Sequence, residues 1–375
     1  MTGQDFRRPA GISRRGVVAA SIAAVAAPTM TRAEASSPTE DVAVEHVNGN
    51  TNSDGRKIPA RIIPAPDTVS TELRARIAAP YPPNWDKVPA TEAAWSEMAR
   101  QSAADVAPFL PDIKEDLKLT VERSEIGGVG IFIITPESIP EANHNRLLLH
   151  LHGGGYVLYP GEAGAGEGML LAGLGGFRVV SVDYRMAPEH PFPAALGDTI
   201  AVWKELLKNN DPRRMAVFGS SAGGALTLSL MLRARQEGLA LPAAIAPGTP
   251  AADLTGAGDT MQTNEFIDNY LVSGSGWAEA ATRLYAGHTD LHDALVSPLF
   301  GDFTGLPPAI LTSGTRDLFL SHTVRVHRKL RQAGIEAVLQ VFEGLSHAQY
   351  LDHTLPEGCE ALGEISAFFD RHLAR

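Results

Sequence analysis

The chain has 375 residues, of which 44% are hydrophobic, 20% charged and one is cysteine. That is enough apolar material for a large core, and a lone Cys359 excludes a disulfide-stapled scaffold. A formal net charge of −11 with no basic stripe argues against nucleic acid or an anionic membrane as partner.

In chain order, the first signal is Ser13-Arg14-Arg15-Gly16-Val17-Val18, a twin-arginine pattern. A small-residue apolar run, Val17 to Ala27, follows, and then Ala33-Glu34-Ala35, an A-x-A cleavage signal. The run is shorter than the ~20 residues that a membrane span needs. Residues 1–35 therefore read as a Tat-type signal cleaved after Ala35, which makes the protein periplasmic or secreted, with an uncleaved tether as the minor variant. Without that segment 27 basic residues face 41 acidic ones, a charge near −14, and no stable membrane span is expected in the mature chain. Residues 36–57 are rich in Ser, Thr, Asn and Gly and read as a linker without a core of its own.

Two helices are expected around Thr71–Ala78 and Thr91–Val106, separated by the turn-rich Pro80-Tyr81-Pro82-Pro83-Asn84. Leu117–Ser124 and Val129–Thr135 alternate between apolar and polar residues and flank Gly127-Gly128, which predicts a hairpin. From there strand and helix patterns alternate to the C-terminus, the signature of a mostly parallel sheet with helices on its faces. Residues 254–290 break the rhythm with Gly-rich and helical sequence. The length suits one α/β domain with a small cap better than two equal domains.

Arg146–Leu151 reads as a buried strand running into His152-Gly153-Gly154-Gly155-Tyr156. Three consecutive glycines let backbone N–H groups face a substrate oxygen without side-chain obstruction. A nucleotide-phosphate loop fits poorly, because neither G-x-G-x-x-G nor G-x-x-x-x-G-K-[ST] is present. Met215–Phe218 is a second buried strand, running into Gly219-Ser220-Ser221-Ala222-Gly223, a G-x-S-x-G nucleophile elbow. Helical sequence follows from Ala222 to about Glu237, with Gly238 at the C′ position. A serine on so sharp a turn needs small neighbours, hence Gly219, Gly223 and Gly224, and the helix N-terminus places positive partial charge beside a developing oxyanion. Gly153, Gly154 and Ala222 are the expected oxyanion donors.

A serine nucleophile needs a base, and the base an orienting carboxylate, in the order Ser, acid, His. Pro308–Gly314 is an apolar strand leading to Asp317, and Ala337–Phe342 is another leading to His347. Both polar residues then lie on loops after strands, where α/β sites are built. His353 is the rival to His347, and Asp352 or Glu343 are the rivals to Asp317. His322 and His327 fall on the helix after Asp317 as surface or packing residues. His288 and His292 have helical i, i+4 spacing, but with no H-E-x-x-H partner motif they do not make a zinc site. Cys359, on a C-terminal helix, reads as a packing residue.

With these motifs, the chain resembles the bacterial hormone-sensitive-lipase-like esterases of the α/β-hydrolase superfamily. The resemblance rests on His152–Tyr156, on Asp183-Tyr184-Arg185-Met186-Ala187-Pro188-Glu189-His190, and on Ser297-Pro298-Leu299-Phe300 before Gly305-Leu306-Pro307-Pro308. It spans about residue 117 to the C-terminus. It implies an α/β-hydrolase fold: a mostly parallel central sheet flanked by helices, with a small helical cap. The cap would come from residues 58–116 and an insertion at about 254–290 within a catalytic domain of residues 117–375. It carries the nucleophile onto Ser221, the acid onto Asp317, the base onto His347 and the oxyanion donors onto Gly153, Gly154 and Ala222. Asp183, Tyr184 and Arg185 would fix a loop beside the site, and His152 would shape its own. Phe266, Ile267, Tyr270, Leu271 and Trp277 are candidates for the inner face of the cap or for ordinary helix packing.

The implied activity is hydrolysis of small to medium carboxylic esters, with a small-molecule ester as partner and no metal or organic cofactor. A lactonase, amidase or transacylase would use the same machinery, and a non-catalytic binding protein on this fold is the alternative of another class. Related folds often dimerise through an edge strand or helix, which makes a homodimer an expectation by analogy. Three departures bear on substrate preference. Ser220 stands where the family often has Asp, Ala348-Gln349 follow the base where Gly-Phe is common, and Pro247–Leu254 lacks an aromatic residue often found there.

Overall fold

A computed structural model of the chain describes residues 51–52, 55–56 and 58–374. The signal and most of the linker lie outside the described residues. Within the segment read as linker, Thr51–Asn52 pairs antiparallel with Gly55–Arg56.

Three helices come first. α1 (Thr71–Ile77) is capped by the Ser70 hydroxyl, which accepts from the Leu73 N–H. α2 (Glu92–Val106) is capped in the same way by Thr91, which accepts from the Ala94 N–H. α3 (Leu110–Asp116) then leads into the sheet. β1 (Leu119–Ile126) and β2 (Val129–Pro136) form the expected hairpin. Its two turn residues, Gly127 and Gly128, both have positive φ (62° and 79°), the geometry of a tight two-residue turn between twisted strands.

The rest is a strand–helix alternation. β3 (Leu147–Leu151) leads to α4 (Gly166–Gly175), and β4 (Arg178–Val182) to α5 (Ala194–Leu207). β5 (Met215–Ser220) leads to α6 (Ala222–Gln236) and then β6 (Ala244–Gly248). The insertion carries α7 (Thr260–Thr263) and α8 (Trp277–Ala286). β7 (Ala309–Gly314), α9 (Leu320–Gln332), β8 (Ala337–Phe342) and α10 (Pro356–His372) complete the chain. The eight strands lie in the order β1-β2-β4-β3-β5-β6-β7-β8. Only β1–β2 and β2–β4 pair antiparallel; the other pairs are parallel.

Alternate residues along the central strands feed two cores. Leu149, Leu151 and Val217 pack on the α5–α6 side with Trp203, Leu226 and Leu230. Leu148, Ala216 and Phe218 pack on the α4–α10 side with Met169, Phe368 and Phe369. With both faces covered, β3 and β5 are buried along their whole length, as their near-continuous apolar runs require.

The strand order reverses at β3. The chain steps to β4 on one side, then crosses back to β5 on the other. The crevice beyond the carboxyl ends of β3 and β5 is thus the topological switch point, the place where ligands bind in open α/β sheets.

Two expectations need correction. His288 and His292 do not share a helix: α8 ends at Ala286, and His292 instead contacts the Asp290 carboxylate at 3.1 Å. Among the described residues no group of His, Cys, Asp and Glu side chains has metal-binding geometry. Cys359 lies on α10 as expected but on its exposed face, its thiol 3.0 Å from the His353 carbonyl, so it is not a packing residue. No helix among the described residues is long and apolar enough to cross a membrane.

Candidate active site

Ser221 follows directly on the carboxyl end of β5 and precedes the first residue of α6. Its backbone sits at φ 59°, ψ −121°, a costly conformation for a residue with a Cβ, held only where the surroundings over-determine it. Here the Ser221 N–H donates to the Gly248 carbonyl at 3.0 Å, and the Ser221 carbonyl accepts from Ala225 and Ala251, each at 3.0 Å. The turn brings Gly223 so near β3 that a Cβ there would stand 1.9 Å from the Leu151 carbonyl oxygen, so no larger residue fits.

Asp317 and His347 converge on this turn from the loops after β7 and β8. His347 Nε2 is 2.9 Å from Ser221 Oγ, and Nδ1 is 3.0 Å from Asp317 Oδ1. All of the Asp317 side chain and nearly all of the His347 side chain are buried (0% and 3% exposed). Asp317 Oδ1 also accepts the Phe319 N–H at 2.8 Å. Its Oδ2 accepts from the Ser313 hydroxyl at 2.6 Å and from the Thr249 hydroxyl. The His347 ring packs against the edge of Phe319, with centroids 4.7 Å apart, which fixes its plane.

The electrostatics follow from this packing. Burial alone would raise the Asp317 carboxyl, but the neighbouring imidazolium and the hydrogen bonds from His347, Ser313 and Thr249 outweigh it and hold the group below the usual carboxylate range. Burial alone would lower His347. The Asp317 charge and hydrogen bond, with a further contribution from Asp268, outweigh that and raise it above the ordinary 6.5.

Asp268, on the insertion, has no counterpart in the motif reading. It is fully buried and accepts four backbone N–H groups: Tyr270 and Leu271 at 2.9 Å, Leu318 at 3.0 Å and His347 at 3.1 Å. It thereby ties the insertion to the two loops that carry Asp317 and His347. Burial, with the Asp317 charge, raises its own carboxyl above the usual range. Thr249, Ser313 and Asp268 lie far apart in sequence, and no local pattern marks any of them.

The rival residues are engaged elsewhere. Asp352 accepts from the Arg76 guanidinium at 3.0 Å and caps Thr354. Glu343 accepts the Thr68 hydroxyl at 2.7 Å on the surface. Burial pushes His353 down, and its carbonyl lies 3.0 Å from the Cys359 thiol. His322 is buried on α9, where burial lowers it to about 4, and its Nε2 lies against the Ala257 carbonyl at 3.1 Å. His327 lies beside the Ala337 carbonyl at 3.2 Å.

The glycine loop faces Ser221 across the crevice. A Cβ on Gly153 would lie 2.9 Å from the Ser220 carbonyl oxygen and 3.4 Å from Ser221 Cβ, so the two loops nearly touch. Among the described residues no backbone hydrogen bond in a turn, loop or cap uses the N–H of Gly153, Gly154 or Ala222. The loop is held from outside. The His152 ring stacks on Tyr184, with centroids 4.1 Å apart, and its Nδ1 lies 2.8 Å from the Gly153 carbonyl. Burial pushes His152 down to about 3, so it stays neutral. The Tyr184 hydroxyl donates to the His152 carbonyl at 2.7 Å. Asp183 accepts the Gly161 N–H at 2.9 Å, and Arg185 clamps Asp198 through Nε and Nη2.

The pocket above Ser221 is lined on the sheet side by His152–Gly155, Leu158, Tyr159 and Glu167, and on the insertion side by Tyr270, Leu271 and Trp277. Phe266 points elsewhere: it is half exposed and packs edge-on to Trp85. Ile267 is half-buried and does not line the pocket. None of the lining residues comes from residues 58–116. α2 instead buttresses the wall, with Trp95 and Met98 packed on Val157, Leu158 and Ala281, and with the Ser102 hydroxyl accepting the Tyr159 N–H at 3.0 Å.

Residues 148–351 match a family model described as an alpha/beta hydrolase fold. An acetyl-hydrolase of Streptomyces hygroscopicus is 32% identical over 231 residues, covering 61% of this chain and 77% of that protein. Among solved structures, the esterase E25 is 42% identical with a TM-score of 0.82, covering 85% of this chain and 99% of that one. An esterase from the bacterial hormone-sensitive lipase family is 29% identical with a TM-score of 0.64, covering 75% and 98%. A match over more than half of its length, on the strand order and loop geometry described above, shows that the chain belongs to the α/β-hydrolase fold family.

Proposed function

We propose that the protein is a serine carboxylesterase that cleaves small to medium acyl esters through Ser221, His347 and Asp317 and an acyl-enzyme intermediate. The observation that carries this reading is the continuous chain of contacts from Ser221 Oγ through both nitrogens of His347 to Asp317. The names of the relatives, acetyl-hydrolase and esterase, support the reaction class.

His347 takes the Ser221 proton as the hydroxyl attacks the ester carbonyl. Asp317 holds the imidazole in the tautomer with its proton on Nδ1 and stabilises the cation that forms. The N–H groups of Gly153, Gly154 and Ala222 receive the oxyanion, and losing one such donor costs ~2.7–4 kcal/mol of transition-state stabilisation. The alcohol departs with the proton from His347, water attacks the acyl carbonyl by the same route, and the acid leaves. The assembled contacts favour this over a non-catalytic binding role.

A pH dependence follows. Only neutral His347 can accept the Ser221 proton, and its value lies above 6.5. The rate kcat/KM should therefore rise with pH through an apparent value above 6.5 and be lost below it. A profile of p-nitrophenyl acetate hydrolysis from pH 5 to 9 checks this, and a rising limb centred at or below 6.5 would count against His347 as the base.

The crevice is roofed by Tyr270, Leu271 and Trp277 and walled by Tyr159, whose hydroxyl lies 3.3 Å from that of Tyr270. A roofed pocket of this kind suits short acyl groups. The test is hydrolysis of p-nitrophenyl esters from acetate to palmitate. Rates should fall with chain length, and a maximum at palmitate would overturn the substrate range. We further infer export of the folded enzyme by the twin-arginine route. A Arg14→Lys, Arg15→Lys double variant should then stay in the cytoplasm of a Tat-competent host, and unchanged export would refute that route.

A further inference from the structure

Behind the nucleophile lies a buried polar cluster that the proposed mechanism does not use. Glu167, in the first turn of α4, is more than nine-tenths buried. Its Oε1 accepts the Ser220 hydroxyl at 2.7 Å and its Oε2 accepts the Ser220 N–H at 3.1 Å. The Ser220 hydroxyl has one proton, and Glu167 takes it. The Ser220 oxygen is then the acceptor for the Tyr350 hydroxyl, its other close partner. His150 Nε2 stands 3.4 Å from Oε2, and its Nδ1 is 2.9 Å from the Ser181 hydroxyl.

Each partner belongs to a different piece of the machinery. Ser220 immediately precedes Ser221. Tyr350 lies three residues beyond His347. Glu167 sits on the helix that follows the glycine loop. The cluster therefore joins the nucleophile loop, the base loop and the oxyanion loop along the wall of the pocket, which Glu167 and Ser220 help to line. On the core side Phe218 lies beside the His150 ring, with centroids 4.9 Å apart, and belongs with Leu148 and Met169 to one apolar cluster. A carboxylate is a poor choice there for packing alone, because its burial is costly unless every lone pair is used. The backbone at Ser221 is strained and must be held by its surroundings. The residue whose N–H and hydroxyl Glu167 grips is the one at which that strain would relax.

We propose that Glu167 is a positioning residue: through Ser220 and Tyr350 it locks the strained nucleophile turn in register with the base loop, keeping Ser221 Oγ within reach of His347. This rests on the reading of Ser221 as the nucleophile. It assigns Ser220 a definite task. Its short hydroxyl reaches a carboxylate supplied by α4.

The test is kinetic, with every rate expressed per active site titrated by diethyl p-nitrophenyl phosphate. Glu167→Ala, Ser220→Ala and the double variant are compared with wild type on p-nitrophenyl acetate. Thermal unfolding is followed in parallel. A displacement of the nucleophile by a fraction of an ångström should lower kcat by about 10- to 10²-fold; KM does not decide the matter, because Glu167 and Ser220 also line the pocket. The rate at which the organophosphate phosphorylates Ser221 should fall in step. The double variant should be no slower than Glu167→Ala, because both changes break one linkage. Glu167→Gln keeps one acceptor oxygen and should be intermediate. A merely structural role would lower the unfolding temperature and leave both rates per titrated site within about two-fold of wild type, which would overturn the proposal. Additive losses in the double variant would do the same. Should Glu167→Ala fail to fold, Ser220→Ala, which removes a single oxygen, decides the matter by the same two rates. Retention of hydrolysis by Ser221→Ala would instead overturn the nucleophile reading itself, so the two failures are distinguishable.

Discussion

Ser221→Ala is expected to lower kcat by about 10⁴- to 10⁶-fold on any ester the wild type accepts, with an unfolding temperature close to wild type. The size of the loss follows from the chemistry. Among the described residues Ser221 Oγ, at 2.9 Å, is the hydroxyl that contacts His347 Nε2. What remains is catalysis by the oxyanion donors and by binding alone, which in triad enzymes is ~10³- to 10⁴-fold over water. The fold should persist because the strained φ of 59° is paid equally by Ser and Ala, both of which carry a Cβ. Steady-state rates and a thermal melt of the same preparation check both halves of the expectation.

Asp317→Asn should cost about 10⁴-fold in kcat at the plateau of the pH profile. Asp317 is an acceptor on every side: His347 and the Phe319 N–H meet Oδ1, and the Ser313 and Thr249 hydroxyls meet Oδ2. An amide replaces one of those oxygens with an NH₂ that faces donors. If the amide oxygen stays toward Ser313 and Thr249, the NH₂ confronts His347 and favours the tautomer protonated on Nε2, which cannot accept the Ser221 proton. The variant also loses the charge that raises His347, leaving the burial that lowers it. The residual activity should therefore titrate at lower pH than wild type. A pH–rate profile reads both effects, and a limb that stays in place with an undiminished rate would show that Asp317 does not orient the base.

Much of the fold and of the candidate site was legible in the sequence because both rest on short-range signals. Buried runs such as Leu147–Leu151 and Met215–Phe218 end in loops whose glycines have one physical use. The hairpin around Gly127-Gly128 and the caps at Ser70 and Thr91 are local chemistry. The expectation of Asp317 and His347 rested on strand-then-loop order, because α/β sheets gather their polar loops at one end, and the two side chains do meet in the fold. What stayed hidden is long-range. Glu167 meets Ser220 53 positions away, Asp268 meets His347 79 away, and Thr249 meets Asp317 68 away. Each is one polar residue in an unremarkable stretch, and only the folded sheet makes it a partner. The i, i+4 reading of His288 and His292 failed because periodicity alone does not say where a helix stops: α8 ends at Ala286, just before them. Cys359 was misread because a cysteine on an amphipathic helix near the core is equally compatible with its outer face.

The residues that the motifs marked and those they missed also divide by task. Ser221, His347, Asp317 and the glycine loop meet the crevice or each other directly. Thr249, Ser313, Asp268 and Glu167 hold those groups in place, and all four are buried. Buried polar residues at this depth are costly unless paired, so each pairing is a requirement of folding as well as of alignment.

The most direct test of the account is the site of covalent modification. The full-length protein is treated with diethyl p-nitrophenyl phosphate until hydrolysis ceases, then digested and mapped by mass spectrometry. The account predicts one diethyl phosphate per chain, carried on Ser221, with p-nitrophenol released in equal amount. Complete inactivation with the adduct on another residue, or persistent ester hydrolysis by protein fully modified at Ser221, would contradict it.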